Sequence, residues 1–165
     1  MNPLTSYNNI FFIGIGGIGM SALARYFMAT GKNVSGYDKT ATKLTNALQQ
    51  EHISITFEDE PNAVDDLQSD DTLVVYTPAI KNLRLLDYFR DNGFTVLKRA
   101  QVLGMITEAT QCVAVAGTHG KTTTSSLVAH LCKEADLPFS AFLGGIAENY
   151  GSNFIYNGND ISVGT

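Results

Sequence analysis

The stretch that most constrains this chain is "NIFFIGIGGIGMS", residues 9 to 21. A short apolar run enters a glycine cluster and leaves it as a helical pattern. Gly14, Gly16 and Gly19 fit G-x-G-x-x-G. In that arrangement the first glycine turns the chain off a strand, the second lets backbone approach a pyrophosphate, and the third lets helix and strand pack closely. The helix opening near Ile18 aims unbonded N–H groups and a positive dipole end at the phosphates. A second apolar segment, "KNVSGYD", ends at Asp38, 22 residues after Gly16, where a ribose-binding acid is expected. The pattern implies a nucleotide diphosphate but does not separate a nicotinamide dinucleotide from other such ligands.

A second strand–glycine loop–helix unit follows at 112–135. "GTHGKTTT" ends in the Gly-Lys-Thr of a phosphate loop, but the glycine that normally stands five positions before Gly120 is replaced by Val115. Lys121 supplies a charge that can reach β- and γ-phosphates, and Thr122 is the hydroxyl expected on Mg²⁺. Backbone N–H groups from Thr118 to Thr123 form an anion cradle. His119 lacks a visible partner for acid–base work; its backbone N–H matters at least as much as its ring, which could pack on substrate or loop. His52 and His130 read as ordinary surface or core residues.

Between and after these loops, strands and helices alternate. Strands are expected near 9–14, at "KNVSGYD", "ISITF", "TLVVYTPAI", "FTVLKRA" and "QCVAVAG", each followed by a helical pattern or a polar turn. This predicts an α/β fold, a largely parallel sheet with helices on its faces. The polar stretch "TEATQ" places a domain boundary near 108–111, giving domains 1–108 and 109–165. About 55 residues are too few for a second doubly wound domain, which needs ~100, so the chain reads as a piece of a longer protein. The strand at Cys112–Ala116 is expected to be buried, and both Cys112 and Cys132 to be packing residues. A net charge of -5 argues against non-specific nucleic-acid binding. The N-terminus lacks the basic region of a signal peptide, and "IFFIGIGGIGM" is too short and glycine-rich to span a membrane. A cytoplasmic protein without membrane insertion is expected.

The pair of loops resembles the Mur ligases, the ATP-dependent amide-forming enzymes of peptidoglycan synthesis. Their shortened loop, G-[ST]-x-G-K-[ST]-[ST], matches "GTHGKTT", Gly117 to Thr123. "YTPAI" (Tyr76–Ile80) and "KRAQVL" (Lys98–Leu103) are similar to further family segments. The histidine form of the loop, together with "GIGGIGMS", is similar to the member that joins L-alanine to UDP-N-acetylmuramate.

The resemblance implies a Rossmann-like UDP-sugar-binding domain followed by the truncated start of a P-loop ATPase domain. It implies ATP and Mg²⁺ as cofactors, and an acyl phosphate attacked by the amine of L-alanine. UDP-sugar contacts would fall on Gly14, Ile15, Gly16, Gly17, Ile18, Gly19, Met20, Ser21, Asp38, Thr77, Pro78, Ala79 and Arg99. ATP would lie on Gly117, Thr118, His119, Gly120, Lys121, Thr122 and Thr123. Lys121 would be catalytic and Thr122 the metal ligand. The family's Mg²⁺-binding glutamate would come about where the chain stops, so the fragment is expected to bind UDP-sugar without ligase activity. The edge of a half-built sheet could pair with another copy as a homodimer. Competing readings are the family's murein tripeptide ligase, an NAD(P)-dependent oxidoreductase, which leaves "GTHGKTTT" unexplained, and a non-enzymatic nucleotide-binding module.

Overall fold

The computed structural model describes residues 3–80 and 82–165. The chain divides into two compact units, Met1–Val102 and Leu103–Thr165.

The first unit is a five-stranded, wholly parallel sheet. Its strands are β1 (Asn9–Ile13), β2 (Asn33–Tyr37), β3 (Ser54–Thr56), β4 (Thr72–Tyr76) and β5 (Thr95–Lys98), in the order β3-β2-β1-β4-β5. The order reverses at β1, so the loop leaving β1 stands at the switch point where open α/β sheets bind ligands. Successive residues of a strand face opposite sides of the sheet. Phe12 meets Phe27 of α1 (Ile18–Ala29) on one face, with ring centres 6.2 Å apart. Phe11 meets Phe89 of α3 (Arg84–Asp91) on the other, at 5.0 Å. Ile13, Tyr37, Val74, Leu85 and Leu86 complete the core on the α3 side. The expected helix-covered sheet is therefore present, because β1 is apolar on both faces and both need cover.

Local chemistry sets the helix ends. Helix α2 (Lys43–Gln50) opens with a reciprocal capping box between Thr42 and Thr45. Helix α3 lacks a side-chain cap of its own. The Asp59 carboxylate instead accepts from the N–H groups of Arg84 and Leu85 (3.1 and 2.9 Å). Burial first, then the charges of Asp59 and Asp38, pushes the Tyr37 hydroxyl pKa above its ordinary value.

The second unit begins inside α4 (Arg99–Glu108), rather than in the polar stretch after it. Its strands are β6 (Gln111–Ala114), β7 (Phe139–Ala147), β8 (Ser152–Tyr156) and β9 (Ile161–Gly164), in the order β6-β9-β7-β8. β6, β9 and β7 are parallel, and β8 runs antiparallel to β7. Strand β8 lies inside the polar glycine- and asparagine-rich stretch "ENYGSNFIYNGND". Its apolar residues Phe154 and Ile155 are flanked by turn formers that mask the alternation. Helix α5 (Lys121–Glu134) buries Ser125, Ala129 and Cys132. The latter two join Phe139, Ala141, Leu143 and Val163 in the unit's core.

One expectation fails here. β6 is an edge strand with all four residues exposed, Cys112 included, so only Cys132 is a packing cysteine. An apolar run specifies a strand, but its burial depends on neighbours that local sequence does not contain.

Candidate functional site

In the first unit the glycine loop is fastened to the end of β2. The Tyr37 carbonyl accepts from the N–H groups of Gly14 (2.8 Å) and Ile15 (3.1 Å). Asp38 Oδ2 accepts from Gly16 N–H at 2.7 Å, and Oδ1 from Thr40 N–H at 3.2 Å. Asp38 thus shapes the loop directly, and each oxygen keeps a lone pair for a ribose hydroxyl. Gly14 has φ +85°, and a Cβ there would stand 2.6 Å from Ile80 Cδ1 and 3.2 Å from Thr77 Cγ2. A Cβ on Gly16 would stand 2.8 Å from Asp38 Oδ2. The glycines are required because the segment after β4 and the acid after β2 both press against the loop.

Helix α1 starts at Gly17, which provides no side-chain cap. Its geometry leaves the N–H groups of Gly19 and Met20 without an intrahelical acceptor. The Arg99 guanidinium comes within 3.1 Å of the place a Gly19 Cβ would occupy. A helix N-terminus and a guanidinium therefore converge on one spot, an arrangement suited to a diphosphate.

The structure places the predicted residues unequally. Gly14, Gly16, Gly19, Asp38, Thr77 and Arg99 come together. Ile15 and Met20 bury their side chains, and the Ser21 hydroxyl donates to the Ile18 carbonyl at 3.0 Å. Gly17 and Ile18 lie exposed at the start of the helix. Pro78 lines a cleft of 380 Å³ with Tyr76, Ile80 and Arg90, and Ala79 is exposed beside it. The Arg90 guanidinium stacks 5.4 Å from the centre of the Tyr76 ring.

In the second unit the phosphate loop leaves β6 and enters α5. Val115 N–H donates to the Gly164 carbonyl at 2.8 Å, holding the lead-in beside β9. Gly117 (φ +153°) and Gly120 (φ +76°) take conformations that favour glycine. Gly120 is the N-cap of α5 and provides no side-chain cap. The helix leaves the N–H groups of Lys121, Thr122 and Thr123 without intrahelical acceptors. Lys121 Nζ donates to the Gly117 carbonyl at 2.7 Å, so the ammonium bridges the mouth of its own loop. Thr118 and His119 are exposed on that loop.

Gly144 and Gly145 of β7 come against Thr122. A Cβ on Gly144 would stand 3.3 Å from Thr122 Oγ1 and 3.2 Å from Thr165 Oγ1. The missing side chain leaves room in front of two hydroxyls. Hydroxyl oxygens are donors of the hard type that Mg²⁺ accepts, with phosphate and water completing its shell. A cleft of 380 Å³ runs from this point along α5, lined by Thr122, Thr123, Ser126, Leu127, His130 and Tyr150. Sequence reasoning missed Tyr150 and left His130 without a role. No local motif links residues twenty apart.

An open parallel sheet with a glycine-rich loop at its switch point, followed by a unit with a glycine–lysine loop before its helix, defines an α/β protein with two loops of the phosphate-binding type. Residues 9–111 match the profile of the Mur ligase family, catalytic domain, and the chain belongs to that family. It is 52% identical over 162 residues to the UDP-N-acetylmuramate–L-alanine ligase of Flavobacterium psychrophilum, covering 97% of this chain and 36% of that protein. Among solved structures, the UDP-N-acetylmuramate–alanine ligase of Thermotoga maritima is similar at TM-score 0.81 and 31% identity, over 94% of this chain and 36% of that one. The UDP-N-acetylmuramate:L-alanyl-γ-D-glutamyl-meso-diaminopimelate ligase from Neisseria meningitides is similar at TM-score 0.81 and 26% identity, over 96% and 52%. The chain thus spans about a third of the length of the curated relative it matches. Among the described residues no helix is long and apolar enough to cross a membrane.

Proposed function

We propose that this chain is the N-terminal part of a cytoplasmic ligase that joins L-alanine to UDP-N-acetylmuramate at the expense of ATP. The observation that carries this reading is the 52% identity, over 97% of the chain, to a protein of that activity. Both glycine loops lie within the aligned stretch.

In this reading the first unit anchors the UDP diphosphate on the backbone of Gly14–Gly19 and on Arg99, with Asp38 facing the ribose. Binding energy from this remote anchor orients the reacting carboxylate. In the second unit, residues Gly117–Thr123 hold the ATP phosphates. A carboxylate oxygen of the muramoyl group attacks the γ-phosphorus and ADP leaves. The amine of L-alanine then attacks the acyl carbonyl, losing a proton as inorganic phosphate departs. Lys121 leaves its Gly117 partner and neutralises charge developing on the transferred phosphoryl group. Thr122 would hold Mg²⁺, which supplies further charge neutralisation when bound. This chain alone binds the UDP-sugar and does not turn over.

Calorimetry of the chain with UDP-N-acetylmuramate and with NAD tests the first unit. Binding of NAD without binding of the UDP-sugar refutes the reading. In an enzyme of the relatives' full length carrying this chain, Lys121→Ala should abolish ATP-dependent phosphate release; normal turnover removes the phosphate-loop assignment. The likeness to the Neisseria ligase favours a second reading, with a tripeptide as the amine donor. Comparing L-alanine and tripeptide as acceptors in that full-length enzyme separates the two.

A further inference from the structure

The two glycines beside Thr122 fall where the β7–β8 ladder shifts register. β7 and β8 pair at Ser140↔Tyr156, Ala141↔Ile155 and Phe142↔Phe154, and next at Ala147↔Ser152. Between these points the register shifts, and residues 143–146 oppose Asn153 alone. A bulge leaves its extra residues out of the ladder, so its course depends on the packing of Leu143 in the core and on what fixes its two ends. The first end is Phe142, locked by both neighbours. The second is the turn Ala147–Gly151, in which the N–H groups of Tyr150 and Gly151 donate to the Ala147 carbonyl at 3.0 and 2.8 Å.

That turn is gripped by helix α5. The Tyr150 hydroxyl and His130 Nδ1 are 2.8 Å apart, and Lys133 Nζ lies 4.7 Å from the centre of the Tyr150 ring. His130 and Lys133 are three residues apart, adjacent on one helix face. Thr122 lies in the first turn of the same helix, about 12 Å along its axis from His130. One rod therefore carries the Thr122 hydroxyl at one end and clamps the far end of the bulge at the other.

We infer that His130 and Tyr150 are positioning residues that set how closely Gly144–Gly145 approach Thr122, and hence the size of the space where phosphate oxygen and metal would sit. The consequence for ATP rests on the phosphate-loop reading. The geometric claim does not.

The test is backbone NMR of the ¹⁵N-labelled chain. Tyr150→Phe removes one oxygen and keeps the ring under Lys133. His130→Leu removes the imidazole, and His130→Gln restores a group able to reach the hydroxyl. In Tyr150→Phe and His130→Leu, the amide resonances of Thr122, Gly144 and Gly145 should move. Exchange across the bulge should speed up about threefold to tenfold, the factor one net hydrogen bond supplies. His130→Gln should return the wild-type pattern. Phe139–Phe142 should stay unchanged throughout, separating positioning from loss of fold. Changes confined to residues 148–151 and the mutated position overturn the inference, as does unfolding in all three variants. Because no nucleotide is present, failure here is distinct from failure of Lys121→Ala to stop phosphate release.

Discussion

Both loops join a parallel strand to a helix whose first turn has no side-chain cap, yet they are mounted differently. The Gly14–Gly19 loop leaves β1, the central strand, whose residues Ile10–Ile13 are buried. Tyr37, Asp38, Thr77, Ile80 and Arg99 fasten or crowd it. The Gly117–Lys121 loop leaves β6, an edge strand exposed along its length, and its helix displays Leu127 and Leu131 at 59% and 67% exposure. An anion cradle needs only backbone in the right turn and an open helix end. How firmly the cradle is mounted depends on how many neighbours its strand has. A central strand gives the first loop two flanking strand ends to lean on, whereas among the described residues β6 has β9 on one side.

The largest expected effect breaks this contrast at the core. Phe89 is fully buried, packed against Phe11 and against Phe94 at 4.9 Å. Phe89→Ala should cost the first unit about 3–5 kcal/mol, read as loss of amide protection in β1, while β7 keeps its protection. Gly14→Val adds a β-branched side chain at φ +85° and pushes on the Ile80 Cδ1 methyl, 2.6 Å from the new Cβ. The strain should cost about 3 kcal/mol and remove UDP-N-acetylmuramate binding by calorimetry.

The next effect probes a buried ion pair. Arg25, 9% exposed, is held bidentately by Glu51 at 2.6 and 2.8 Å. Glu51→Gln leaves that guanidinium with a neutral partner. It should cost about 2 kcal/mol, discounted from the fully buried case because Glu51 is 34% exposed. Equilibrium denaturation of the first unit measures it.

The smallest effects sharpen the contrast from the other side. Leu131→Ala removes a side chain that is already in solvent, so its stability change should stay within about 0.5 kcal/mol. A loss of several kcal/mol in denaturation would show that the α5 face is covered in solution. The Tyr37 hydroxyl has a raised pKa in the folded state. Above the unfolded value of ~10 the unfolded chain loses that proton first, so stability falls as pH rises further. Absorbance at 295 nm should show a tyrosine that ionises later than the exposed ones, and Tyr37→Phe should remove it.

Much of this was legible in the sequence because the information is local. A glycine that must adopt φ +85° and a lysine directly after the last loop glycine are statements about a few consecutive residues. So is an acid placed just after the second strand. Such local statements suffice to read the two strand–loop–helix units. Periodicity failed where turn formers surrounded the strand, as at Ser152–Tyr156. It also could not say that the apolar β6 would lie on an edge.

The sequence alone determined the two strand–glycine loop–helix units, since backbone turns and helix starts follow from neighbours along the chain. Only the tertiary structure decided what surrounds each cradle. It turned Asp38 onto Gly16 N–H, brought Arg99 against Gly19 across eighty positions, and joined Tyr150 to His130. These contacts arise from the order in which strands assemble and the bulge that displaces one of them. No local pattern of residues encodes that order.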